Sequence, residues 1–154
     1  MRVVYVHEND TTNLTRSMFL AGPSPRKAGE YDWRKQARTF LHRLGFDGTV
    51  FIPLPRDGEF HEDYDRDAQA SWELDHLEMA AVRVFWVPRD LVALPGFTTN
   101  VEFGRFSRMP PCVLGYPDGT PKMWYLHFIA NRDSVPVYHS LIETLAAALK
   151  LLPV

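Results

Sequence analysis

The sequence contains one cysteine, Cys112, among its 154 residues. A lone thiol can form neither an internal disulfide nor a zinc site built from several cysteines. Cys112 lies in an apolar run, where a thiol usually acts as a small hydrophobe, so we interpret it as structural. The six histidines show none of the short helical spacings of a zinc motif. We therefore predict no metal site and no cofactor.

Long apolar runs and an excess of charge of one sign are also absent. No run approaches the length that spans a bilayer, and the apolar stretch at residues 3–6 is too short for the core of a signal peptide. The 17 Lys and Arg residues against 19 Asp and Glu residues give a net charge of -2. This balance does not favour binding to a nucleic-acid polymer or to an anionic membrane. We expect a cytoplasmic protein whose ligand is a small molecule.

Short apolar runs alternate with amphipathic segments along the chain. With 45% hydrophobic residues, the chain can bury a sizeable core, and we expect a single domain over residues 1–154. The pattern predicts strands at 18–21, 49–52, 82–87, 112–115 and 135–138, and helices at 30–44, 64–81, from about 99, and at 141–151. This alternation is typical of an α/β fold of the Rossmann or flavodoxin type, with about five mainly parallel strands and helices on both faces. Residues 1–16 are expected to add an edge strand or an oligomer contact.

Three predicted loops converge at the carboxyl ends of the strands, where this architecture has its ligand crevice: residues 22–29, 53–61 and 88–98. In the first loop, Gly22, Ser24 and Arg26 combine a flexible turn, a hydroxyl and a guanidinium. Together these groups can hold a phosphate or a sugar hydroxyl. Taken alone, the two prolines of this loop favour an ordinary rigid turn.

The segment from Gly96 to Gly104 places Glu102 close to the start of a predicted helix, directly after an apolar strand. Either Thr98 or Thr99 supplies an oxygen suited to capping that helix. Thr99 and Glu102 have the spacing of a capping box, which satisfies backbone donors and needs no chemistry. Alternatively, Glu102 is a catalytic carboxylate in the first helical turn, where the helix dipole favours its ionised form.

The second predicted helix carries another acid of interest. Glu73 lies on the same helix face as Leu77 and Ala80, whereas Asp75 points away from the apolar stripe. Glu73 is therefore the acid expected to face the crevice, and it is either functional or paired with a neighbouring arginine at the rim. Among the aromatic residues, Tyr64 and Phe97 are the candidates for contact with a bound base.

Four motifs carry a resemblance to a known family. They are Phe-Leu-Ala-Gly-Pro at 19–23, Trp-Glu at 72–73, Phe-Trp-Val-Pro-Arg at 85–89 and Thr-Thr-Asn-Val-Glu-Phe-Gly at 98–104. Through them the chain resembles the nucleoside 2-deoxyribosyltransferase-like superfamily from about residue 19 to residue 125. The resemblance implies a Rossmann-like fold, a glycosyl-enzyme intermediate and a homo-oligomer whose subunits complete each other's sites.

The resemblance also assigns roles to individual residues. It implies that Glu102 is the nucleophile at the anomeric carbon of a deoxyribose, and that Glu73 handles the base or a proton. It makes Ser24, Arg26 and Asn100 candidates for contact with the sugar or a 5'-phosphate. The full set of candidate substrate-binding residues is Gly22, Ser24, Arg26, Tyr64, Phe97, Thr99 and Asn100.

The sequence departs from the family pattern at two positions. Family transferases often carry an aspartate six residues before the catalytic glutamate and another at the start of the third strand, and these positions are Gly96 and Ala81 here. Asp90 is the nearby acid that remains, and it is the second choice after Glu73 for the general acid. A general acid is needed because the departing base must be protonated.

These residues predict an enzyme that cleaves or transfers the N-glycosidic bond of a nucleoside or nucleotide. An ionised carboxylate can stabilise the positive charge that develops on the sugar and then bond to it. The alternatives are a non-catalytic nucleotide-binding or sensing module of the same fold, and a glycohydrolase acting on another glycosyl donor such as a nicotinamide dinucleotide.

Overall fold

The structure, a computed structural model, describes residues 1–25, 29–58 and 63–153. Six parallel strands form one sheet in the order β1-β3-β2-β4-β5-β6. The strands are β1 (Arg2–Tyr5), β2 (Ser17–Ala21), β3 (Thr49–Ile52), β4 (Val82–Trp86), β5 (Cys112–Gly115) and β6 (Val137–Tyr138). The predicted α/β fold is confirmed, and the N-terminal segment adds the edge strand β1, which pairs with β3.

Five α-helices follow strands of the sheet: α1 (Trp33–Arg43), α2 (Arg66–Met79), α3 (Phe97–Phe106), α4 (Trp124–Arg132) and α5 (Leu141–Lys150). The helix α4 is not predicted from the sequence, because its exposed aromatic residues obscure an amphipathic pattern. Within the described residues, no helix is both long enough and apolar enough to cross a membrane.

Two apolar layers cover the two faces of the sheet. Phe19, Phe51 and Phe85 point into one layer with residues of α2, α3 and α4, while Met18 and Leu20 point into the other with residues of α1 and α5. Neighbouring residues of β2 belong to opposite layers because successive side chains of a strand alternate between its faces. The central strands are buried on both sides, as expected for a parallel sheet.

The order of the strands determines where a ligand can bind. The connection that leaves β2 passes through α1 to β3 on one side, and the connection that leaves the neighbouring strand β4 passes through α3 to β5 on the other side. The connections therefore diverge at β2 and β4. In open parallel sheets, a crevice forms at the carboxyl ends of strands at such a switch point. The loops after β2 and β4 border this crevice.

Candidate active site

A cavity of about 670 Å³ lies at the carboxyl ends of β2 and β4. It brings together residues that are far apart in the sequence but were predicted as one site. The predicted residues that line it are Gly22, Ser24, Tyr64, Glu73, Phe97 and Glu102. Arg26 and His61, which belong to two of the predicted loops, lie outside the described residues.

Helix α3 begins earlier than predicted. Its first residue is Phe97, and Gly96 occupies the N-cap position with φ 62°, without any hydrogen bond from a capping side chain. Thr99 is buried inside the helix and does not line the cavity. The prediction of a Thr99–Glu102 capping box is therefore wrong, and Glu102 lies in the second helical turn rather than the first.

Glu73 reaches the cavity from one face of α2. Arg66, Gln69 and Ala70 line the cavity beside it, as expected for positions three, four and seven apart. The Gln69 side-chain amide donates a hydrogen bond to Glu73, and the Tyr64 hydroxyl donates one to Gln69. Glu73 forms no ion pair with any described residue, so the structure does not support a rim salt bridge.

Glu73 and Glu102 both line the cavity, and their carboxyl groups interact with each other. Burial is the main cause that raises the pKa of Glu73, and burial together with the charge of Glu73 raises the pKa of Glu102 to about 8. The prediction that α3 keeps Glu102 ionised is therefore wrong. Two carboxyl groups that interact strongly titrate as a unit, which holds one proton and one negative charge between its two titration steps.

A fully buried cation lies next to this pair. Arg34 in α1 is 1% exposed and donates hydrogen bonds to the carbonyl oxygens of Leu20, Gly22 and Pro23 at 3.0, 2.8 and 3.3 Å. Burial lowers the pKa of Arg34 to about 10, so the guanidinium stays charged at neutral pH. Sequence reasoning missed Arg34 because nothing in the local pattern distinguishes it from the exposed cations of α1.

A second buried arginine organises the loop after β4. Arg89 donates to the carbonyl oxygens of Pro95 and Lys122 at 2.8 and 2.9 Å, and also to the side-chain oxygen of Asn100. Asn100 does not line the cavity. The hydrogen bond that Asn100 accepts from Arg89 ties the loop after β4 to α3. The predicted contact of Asn100 with substrate is not seen in the cavity lining.

Asp90 is also directed elsewhere. Its exposed carboxylate accepts hydrogen bonds from the backbone N–H groups of Ala93 and Val92, both at 2.8 Å, and these bonds lower its pKa. It does not line the cavity. The structure therefore places Asp90 apart from the two glutamates, and its role as a reserve general acid stays a prediction from the sequence.

The two departures from the family pattern have different structural settings. Gly96 lines the cavity, whereas Ala81 precedes β4 at the opposite end of the sheet. The backbone N–H of Ala81 donates to the Ser17 hydroxyl at 3.0 Å. Only the change at Gly96 therefore bears directly on what the cavity can bind.

The fold and the paired acids define a class, the α/β proteins of the Rossmann type with a carboxyl site at the switch point of the sheet. A family model described as Nucleoside 2-deoxyribosyltransferase like matches residues 15–120. The match covers more than half of the chain, so the chain belongs to this family, and the resemblance inferred from the motifs is confirmed. No curated protein matches the chain.

Members of this family are generally enzymes, and the family suggests a small nucleoside as the ligand. Among the residues that the structure describes, no group of three His, Cys, Asp or Glu residues is placed to hold a metal ion. The cavity presents two carboxyl groups, with the Arg66 guanidinium and with hydroxyl and amide groups around them.

Proposed function

We propose that the protein cleaves or transfers the N-glycosidic bond of a nucleoside or nucleotide through a covalent bond between the sugar and Glu102. The observation that carries this proposal is that Glu73 and Glu102 line the same cavity and that burial raises the pKa of both carboxyl groups. One neutral and one ionised carboxyl group are what such a reaction needs, a proton donor for the base and a nucleophile for the sugar.

In the proposed first step, a carboxylate oxygen of Glu102 bonds to the anomeric carbon while the bond from that carbon to the base breaks. The electron pair of the broken bond passes to the base nitrogen, which takes the proton from Glu73. The shared proton of the free pair must therefore reside on Glu73 in the substrate complex.

In the second step, water attacks the anomeric carbon and the bond to Glu102 breaks. Glu73, now a carboxylate, accepts the proton of the water and the pair returns to its starting state. If a second base takes the place of water, the same step gives transfer rather than hydrolysis.

The remaining contacts of the substrate follow from the lining of the cavity. Ser24 is the proposed partner of a sugar hydroxyl or a 5'-phosphate, and Gly22 is a proposed backbone contact. Gly22 also lets this loop pack against β4, since a Cβ atom there would lie 2.0 Å from the Trp86 carbonyl oxygen. Phe97 and Tyr64 are the proposed contacts of the base, since both present ring surface to the cavity. Arg26 stays a sequence-based candidate for the phosphate.

The test is incubation of the protein with deoxynucleosides, deoxynucleotides and nicotinamide dinucleotide, with and without acceptor bases. We expect release or exchange of a base. Mass spectrometry of the protein from a quenched reaction should show a sugar adduct on Glu102. Glu102→Gln should show neither the base release nor the adduct. Tight binding of a nucleotide with no release of base by the wild-type protein would favour the sensing module and overturn the proposal.

We also propose that the protein acts as a homo-oligomer. The helices α3 and α4 pack together and present five exposed apolar residues, which we call the α3–α4 surface: Phe97 (70% exposed), Val101 (74%), Trp124 (74%), Tyr125 (60%) and Phe128 (50%). The rings of Trp124 and Phe128 are stacked with centroids 5.9 Å apart. Exposed patches of this kind usually mark interaction sites.

The size of the α3–α4 surface favours a second copy of the chain as its partner. An aromatic side chain has roughly 150–250 Å² of surface, so the exposed fractions here amount to on the order of 600 Å². A stable interface buries about 800 Å² on each partner. Because Phe97 belongs both to this surface and to the cavity, a second copy bound there also covers the side of the active site. The single domain and the cytoplasmic location stay predictions from the sequence.

A further inference from the structure

The position of Arg34 links it to the cavity by way of the backbone. Gly22 and Pro23, whose carbonyl oxygens accept from the guanidinium, are themselves part of the cavity lining. The Trp33 indole N–H donates to the same Pro23 oxygen at 3.0 Å, and the guanidinium lies over the Trp33 ring at 4.6 Å. The loop after β2 is therefore held by α1 from behind, on the side opposite the substrate.

Among the described residues, no carboxylate forms an ion pair with the Arg34 guanidinium. Every acceptor of its hydrogen bonds among the described residues is a backbone carbonyl oxygen. A buried cation normally needs an opposite charge, since burial without one is strongly unfavourable. The acids that interact with it electrostatically are Asp32, Glu73 and Glu102. Two of the three form the carboxyl pair.

Asp32 is engaged at the N-terminus of α1. Its side chain caps α1 by accepting a hydrogen bond from the backbone N–H of Arg34 at 3.0 Å. Arg66 also lines the cavity beside Glu73, but it is exposed and forms no ion pair with either described glutamate, whereas Arg34 is fully buried behind the lining. The buried positive charge and the single negative charge of the pair therefore compensate each other.

We propose that Arg34 is a positioning residue that fixes the floor of the cavity and keeps one negative charge on the Glu73–Glu102 pair. Its importance for catalysis rests on the proposed function, whereas its effect on the pair does not. The guanidinium touches no substrate. It acts through the loop that it holds and through the charge that it places behind the acids.

A third buried arginine offers a matched control. Arg83 in β4 is 5% exposed and donates to the carbonyl oxygens of Leu77, Glu78 and Met109 at 2.5, 2.8 and 3.0 Å. It has the same kind of partners as Arg34, but it lies at the amino end of β4 next to the end of α2. Replacing Arg83 removes a buried cation and its carbonyl contacts without touching the cavity.

The experiment measures the titration of the pair directly. Protein labelled with ¹³C at the glutamate carboxyl is titrated by NMR, and the signals of Glu73 and Glu102 are assigned with the Glu73→Gln and Glu102→Gln variants. The variants compared are Arg34→Gln, Arg34→Lys, Arg83→Gln and Arg83→Lys. This readout needs no turnover, so it tests the proposal even if no base is released.

In Arg34→Gln we expect the step that first ionises the pair to move up by about one pH unit or more, because a nearby opposite charge shifts a carboxyl by that amount. Arg34→Lys keeps the charge and should move this step by less than half as much. Both Arg83 variants should leave it unchanged. If the protein releases base, the acidic limb of its pH–rate profile should move with the NMR titration in Arg34→Gln.

An unchanged titration in folded Arg34→Gln would overturn the role of the charge, and so would an equal shift in the matched Arg83 variant. If Arg34→Gln alone does not fold, it is combined with Glu102→Gln. We expect the double variant to regain a cooperative thermal transition, because Glu102→Gln removes a charge that Arg34 compensates. A double variant as unfolded as Arg34→Gln would contradict the role of the charge.

Discussion

Pro23 and Gly96 both line the cavity and lie so close together that a Cβ atom added at Gly96 would be 2.7 Å from the Pro23 Cγ. Gly96 also has φ 62°, a left-handed conformation that residues with a side chain rarely adopt. The loops after β2 and β4 therefore meet at a position that accepts only glycine. The aspartate that family transferases often carry there has no space in this protein.

Restoring that aspartate should damage the fold rather than improve activity. We expect Gly96→Ala to reduce the free energy of unfolding by about 1–2 kcal/mol for the left-handed backbone alone, and Gly96→Asp to reduce it further through the contact with Pro23. Urea unfolding measures both. The control is Gly104→Ala, because Gly104 lies inside α3 with no neighbouring group within 4 Å. This control should gain up to about 1 kcal/mol, and a gain in Gly96→Ala would contradict the argument.

The activity should fall at alkaline pH. The pair needs one proton to protonate the base, and the raised pKa values of Glu73 and Glu102 keep that proton bound through neutral pH. As the pH rises through about 8, the value for Glu102, the proton is lost and both acids become charged. Rates of base release measured between pH 5 and pH 10 should decline on this side, and an alkaline optimum would contradict the shared proton.

Glu102→Gln should stabilise the fold while abolishing turnover. Burial raises the pKa of Glu102 from 4.5 to about 8, so its contribution to stability is complete below 4.5 and is lost as the pH rises toward 8. The amide has no charge to bury. We expect a higher unfolding temperature at pH 8.5, by roughly 2–4 °C for each kcal/mol gained, and little change at pH 4.5. Thermal unfolding at both pH values checks this, and destabilisation at pH 8.5 would contradict it.

His76 should make the fold sensitive to acid. It is 4% exposed and stacked on Trp72, its Nδ1–H donates to the Trp72 carbonyl at 2.7 Å, and its Nε2 has no partner among the described residues. Burial lowers the pKa of His76. The unfolded chain then binds the extra proton first, so stability falls as the pH drops below about 6.5.

The His76→Phe variant should therefore lose less stability than the wild type between pH 7 and pH 5. Chemical unfolding at both pH values measures the difference. The exposed His42 provides a control, since His42→Phe should keep the pH dependence of the wild type. The same slope in His76→Phe and wild type would show that another group is responsible.

Substitutions in the α3–α4 surface should separate the proposed oligomer into monomers. We expect Trp124→Ser and Val101→Asp each to weaken self-association at least tenfold, because both replace exposed apolar surface with polar groups. Light scattering coupled to size-exclusion chromatography measures the mass. Ile142→Ser is the control, since Ile142 is 42% exposed on α5. A monomeric wild type, or an equal effect of Ile142→Ser, would exclude this surface.

The elements with strong local patterns were predicted from the sequence. The strands Thr49–Ile52 and Cys112–Gly115 were placed at their observed ends, because short apolar runs between turn residues have few other solutions. The helix face of Glu73 was predicted correctly from helical spacing, and Arg66 and Gln69 could have been found in the same way. The start of α3 is not predicted correctly. The helix begins directly after Gly96 in a left-handed conformation, whereas the sequence favours the threonines that follow as the more usual cap.

The sequence alone therefore determined the class of fold, the family and the two glutamates, since these depend on residue types at fixed spacings along one segment. Only the tertiary structure decided that the glutamates line one cavity, that Arg34 lies behind its lining and that Asn100 and Asp90 are engaged elsewhere. These relationships join residues from different helices and loops. They depend on which strands are neighbours in the sheet, and a local pattern contains no information about that.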